Sequence, residues 1–97
     1  MTRPYQPSDY ATIVDWAAAR FVPAPPEGAL PLCGLVAQLD DGPAGAVWLY
    51  VDHHAKVGFP HWLITRPQLP LDQARATVAD LMAALVVAAK QNGLSAL

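Results

Sequence analysis

Two apolar runs joined by four turn residues set the tightest limit on what this chain can fold into. Leu32 to Leu39 is one run, Asp40-Asp41-Gly42-Pro43 is turn chemistry, and Ala46 to Val51 is the second run. That is the pattern of a β-hairpin. In the second run Val47, Leu49 and Val51 alternate with Trp48 and Tyr50, so neither face is polar. A strand of this kind must be covered on both sides. The rest of the sequence has to supply two covers.

Two helical patterns can do so. Ser8-Asp9 offers an N-cap oxygen, and Ile13, Val14, Ala17 and Phe21 then recur as one stripe, with Trp16 at its edge. This helix should end near Arg20, because Val22-Pro23-Ala24-Pro25-Pro26 cannot continue it. The second pattern starts at Pro70-Leu71-Asp72, with Asp72 as the expected N-cap. Its stripe is Val78, Leu81, Met82, Leu85 and Ala89, widened by Val86 and Val87, and Asn92-Gly93 supplies a left-handed stop.

The connections complete the outline. Residues 22–31 are rich in proline and read either as a stiff spacer or as a loop overhanging a site. Asp52-His53-His54-Ala55 turns the chain into a third strand, Lys56 to Thr65. Pro60 within it marks an edge, a bulge or a local splay, since proline cannot donate to a ladder. Leu94 to Leu97 reads as the opening of one more strand, which would return parallel after the helix. With 97 residues there is room for a single domain, of α/β (α+β) class.

Charge and composition exclude several functions. A formal net charge of −2 with four scattered arginines and two lysines offers no basic stripe for nucleic acid. The longest uncharged apolar run, Leu81 to Ala89, is too short to span a bilayer. Cys33 is the sole cysteine and the first residues carry no apolar signal core, which fits a reducing cytoplasm. Only 14% of residues are charged against 54% hydrophobic. So few charges leave apolar surface for another chain to cover, and a homodimer is the simplest expectation.

Individual side chains offer little unaided chemistry. His53 and His54 are adjacent and would point to opposite faces of an extended chain, so no metal site is expected. Cys33 lies in a hydrophobic strand and reads as an inert thiol.

Several segments resemble the GNAT family, the acyl-CoA-dependent N-acetyltransferases. Arg3-Pro4-Tyr5-Gln6-Pro7-Ser8-Asp9-Tyr10 is similar to that family's opening strand and helix cap. Pro43-Ala44-Gly45-Ala46-Val47-Trp48-Leu49-Tyr50 resembles its third strand, and His61-Trp62-Leu63-Ile64-Thr65-Arg66-Pro67 its fourth. Ala88-Ala89-Lys90-Gln91-Asn92-Gly93 is like the end of its CoA-side helix. In particular the chain resembles small GNAT-like proteins of phages and prophages. The resemblance implies a mostly antiparallel sheet with a helix on each face, over residues 1–97. It also places acetyl-CoA against Leu63, Thr65, Arg66, Gln73 and Arg75. His61 would stand where many GNAT enzymes hold a glutamate base, and imidazole could take a proton from an amine.

The sequence departs from that family twice. A glycine-rich loop normally cradles the CoA pyrophosphate at the start of the long helix. Here residues 66–75 contain no glycine, Pro70 removes a donor, and Asp72 brings a carboxylate. The second departure is length: the full fold continues past a fifth strand, which here would open only at Leu94. An open sheet edge follows, of the kind a partner chain covers. The resemblance therefore implies a non-catalytic, dimeric protein-binding module with a degenerate acyl-CoA site, whose further partner would be a host protein. The alternative is an acetyl-CoA-dependent N-acetyltransferase acting on an amine.

Overall fold

The computed structural model describes residues 1–95. It is an α+β fold: a four-stranded antiparallel sheet in the order β1-β2-β3-β4, with two helices. The strands are β1 (Thr2–Pro4), β2 (Cys33–Leu39), β3 (Gly42–Asp52) and β4 (Val57–Thr65). The helices are α1 (Tyr10–Ala19) and α2 (Leu71–Gln91).

The doubly apolar hairpin sits at the centre, as its composition requires. Val36, Ala46 and Trp48 pack on one face with Ile13 and Trp16 of α1. Ala37, Val47 and Leu49 pack on the other with Leu81, Leu85 and Ala89 of α2. Each central strand thus feeds two cores, and one helix covers each face. Gly45 brings the sheet and α2 close together. A Cβ built there would lie 2.8 Å from Thr77 Cγ2 and 3.1 Å from Leu81 Cδ1.

The hairpin is tighter than its sequence suggests. Only Asp40 and Asp41 form the turn, and β3 begins at Gly42, which adopts φ 126°. A register shift lets Pro43 pair with Gln38 while Gly45 pairs with Ala37, so Ala44 is an extra residue on β3. The expected start at Ala46 is therefore too late.

Both helix starts differ from expectation. Asp9 precedes α1, but its carboxylate makes no cap bond. It instead accepts a bidentate pair from Arg3, at 2.9 and 2.8 Å, and the Gln6 amide at 2.9 Å. Asp72 lies in the first turn of α2 and the N-cap position is Pro70. The Ala74 amide reaches back to the Pro70 carbonyl at 2.8 Å.

The helix ends share one device. Phe21 and Val22 amides bond to the Ala18 and Ala17 carbonyls, and Gly93 and Leu94 amides to those of Lys90 and Ala89. Both are Schellman closures, in which the residue after the cap takes left-handed backbone. Gly93 does so at φ 75°, as Asn92-Gly93 predicts, but α1 uses Phe21 at φ 56°. Phe21 therefore leaves the helical stripe and is 97% exposed, while Trp16 takes its place in the core with Ile13 and Ala17. On α2 the buried line is Thr77, Leu81, Leu85 and Ala89, and Val86 and Val87 face outward.

Leu94 and Ser95 do not form a strand. Leu94 packs on the α2 core, and the Ser95 amide bonds to the Lys56 carbonyl at 2.9 Å, just before β4 begins. The remainder of the strand expected at 94–97 lies outside the described residues. Among the described residues no helix is long and apolar enough to cross a membrane.

Candidate functional site

The most unusual backbone lies in β4. Trp48 pairs with His61 and Ala46 with Ile64, so Trp62 and Leu63 together oppose Val47. Two residues against one make a β-bulge, and Trp62 holds φ 56° within it. A bulky residue in left-handed backbone is a genuine outlier, and such strain concentrates at binding sites. The bulge falls two residues after Pro60, which pairs in register with Leu49. What Pro60 marks is the edge: among the described residues no strand pairs with the outer side of β4.

Beside the bulge runs a groove. An apolar cavity of about 260 Å³ is walled by Ile13 and Ala17 of α1, by Val22, Pro23 and Pro25, and by Trp62, Leu63 and Ile64 of β4. Arg20 stands at its rim. Arg20 Nε and Nη2 donate to the Thr65 carbonyl at 3.3 and 3.0 Å, and Nη2 also to Thr65 Oγ1 at 3.0 Å. The Pro-rich segment is thus an overhanging wall and not a mere spacer. Tyr10 Oη fixes it by donating to the Pro25 carbonyl at 2.8 Å. Two further hollows continue the groove past Thr65 and Val78 to Ala74 and Arg75 at the start of α2.

The residues expected against acyl-CoA divide between two places. Leu63, Thr65 and Arg75 line this groove. Gln73 lines a different concavity with Gln38, Asp40 and Asp41. Arg66 is engaged elsewhere: Nη1 and Nη2 donate to Asp41 Oδ1 and Oδ2, both at 3.1 Å, and Nη1 to the Pro43 carbonyl at 3.3 Å. The start of α2 therefore fits a pyrophosphate poorly. It has no glycine, Pro70 has no amide hydrogen, Asp72 adds negative charge, and Arg66 is held at the β2–β3 turn.

His61 lies apart from the groove. It is exposed and lines an open depression of about 760 Å³ with Tyr50, Phe59 and Asp52. Its ring meets Trp62 edge-to-face, with centroids 5.1 Å apart, and Tyr50 at 6.1 Å. No carboxylate orients the imidazole through a hydrogen bond among the described residues. Around it Tyr50, Phe59, Trp62 and Leu63 are between 40% and 57% exposed, an apolar, mostly aromatic patch, whereas the alternation of β3 called for cover over Tyr50.

The other sequence candidates resolve simply. Burial pushes the Cys33 thiol up, away from the reactive thiolate. His53 and His54 belong to the hairpin turn, where Asp52 Oδ1 accepts the His54 and Ala55 amides at 3.0 and 3.1 Å. Among the described residues no three His, Cys, Asp or Glu side chains gather as a metal site. Trp48 is fully buried, whereas Trp62 is the tryptophan at the surface.

No family model matches this chain, no curated protein matches its sequence, and no solved structure matches its fold.

Proposed function

We propose that this protein is a non-catalytic binding module on a GNAT-like scaffold, and that it acts as a homodimer paired through β4. One observation carries the reading. β4 is a nine-residue edge strand, and exposed Tyr50, Phe59, Trp62 and Leu63 lie on or beside it. Unpaired edges of this length recruit another strand, although Pro60 and the bulge at Trp62-Leu63 are features that blunt an edge. Within β4 no residue is charged. A second copy of β4 fits this edge by twofold symmetry, which pairs a strand with itself in antiparallel register. A host protein that adds a strand to the same edge is the further partner the scaffold would take.

The non-catalytic part rests on the α2 start and on His61. The pyrophosphate cradle is missing and the imidazole has no orienting group, so neither half of acyl transfer is supported. Light scattering should give twice the 10.4 kDa chain mass. Lysine at Phe59 (Phe59→Lys) should return it to the monomer, and calorimetry with acetyl-CoA should give no heat. A wild-type monomer at all concentrations would sink the dimer.

The alternative reading, an acetyl-CoA-dependent N-acetyltransferase, draws on the bulge at Trp62-Leu63 and the groove that leads from it to Arg75. Saturable acetyl-CoA binding that Leu63→Lys abolishes would favour it.

A further inference from the structure

The cavity between α1, the Pro-rich wall and the bulge has a chemistry of its own. Its lining is almost wholly apolar, and Arg20 is the one charged residue on it. Among the described residues the ion pairs are Arg3–Asp9 and Arg66–Asp41, and Arg20 belongs to neither. Its Nε and Nη2 are occupied by Thr65 oxygens, which fixes the guanidinium and leaves Nη1 outside those bonds. A cation held at the mouth of an apolar cavity favours a ligand with one anionic end and an apolar body.

We infer that this cavity binds a small apolar monocarboxylate, with the tail between Ile13, Ala17 and Trp62 and the carboxylate at Arg20. Size agrees with that class. A cavity of about 150 Å³ accommodates benzene, and this one is about 260 Å³, which suits a body of roughly six to ten non-hydrogen atoms by the same comparison. The walls are already in place. Pro23 and Pro25 have fixed φ, Tyr10 holds the Pro25 carbonyl, and Trp62, in left-handed backbone, is one of the lining residues. Trp62, Leu63 and Ile64 of β4 line this cavity too, so it adjoins the proposed pairing edge, but the inference does not rest on that pairing and goes beyond the proposed function.

Octanoate, 1-octanol and octylamine share a tail and differ only in the head group, so together they test the inference. Titrated into the full chain and followed by calorimetry and tryptophan fluorescence, octanoate should bind 1:1 with a Kd of about 1 mM, the range expected for a ligand of this size. Octanol and octylamine should each bind at least tenfold more weakly. Arg20→Gln should weaken octanoate about tenfold and leave octanol unchanged. Octanoate that fails to saturate, or three ligands that bind alike, would overturn the inference. The wild-type series decides the matter even if Arg20→Gln folds poorly.

Discussion

At the residue scale the informative positions are those where a side chain does something its neighbours in sequence do not announce. Phe21 is the clearest. It closes α1 in left-handed backbone, a position glycine or asparagine normally fills, and its side chain contributes almost nothing to the core. Phe21→Gly should therefore stabilise the protein by about 0.5–1 kcal/mol, because relief of the backbone outweighs the added freedom of the unfolded chain. For a domain of this size that is a rise in Tm of about 3–6 °C. Asp9 makes the opposite point. The Arg3 guanidinium, then the Gln6 amide, hold its carboxyl below the usual range against the opposing effect of burial. A depressed carboxyl contributes stability that is present above its unfolded pKa and lost as pH falls through the folded one. Asp9→Asn should cost about 1–2 kcal/mol at pH 7, discounted for the partly exposed Arg3. The penalty should shrink as pH falls below about 4, where the carboxyl of the unfolded chain protonates first. Urea melts at pH 7 and pH 3 check both statements.

At the scale of elements, the two helices and the hairpin were legible because their evidence is local and periodic. The sequence placed α2 by its i, i+4 stripe and ended it correctly at Asn92-Gly93. What it could not place was decided by competition among neighbouring groups. Asp9 and Asp72 look like caps, yet the Arg3 guanidinium claims one and Pro70 displaces the other. The bulge gave no glycine signal, since Trp62 itself takes the left-handed backbone. Gly45 is an element-scale device, for it sets the spacing of α2 on the sheet. Gly45→Ala should cost about 1–3 kcal/mol by driving its Cβ into Thr77 Cγ2. Thr77→Ser, which deletes that methyl, should recover much of the loss in the double variant. If the two substitutions are simply additive in urea denaturation, the close contact is not what Gly45 provides.

At the scale of the whole molecule, the class was readable from the hairpin alone: strands without a polar face need cover on both sides, and α1 and α2 provide it. The site was readable only in part. Of the residues expected together, Leu63 and Thr65 line one hollow and Thr65 and Arg75 the next, whereas Arg66 is drawn 25 residues back along the chain to Asp41. No spacing rule reports an ion pair of that separation. The surface aromatic patch was missed because alternation marks Tyr50 as a core position, whereas the 10-residue α1 leaves that end of the sheet uncovered. Low charge, an open edge and an uncovered aromatic face are the observations behind the proposed second chain along β4. Amide hydrogen exchange measured across a range of protein concentrations tests this most directly. The account predicts that the outward-facing amides within residues 58–64 become protected as concentration rises, while those of β1, the opposite edge, do not change. Exchange in β4 that is the same at every concentration would contradict it.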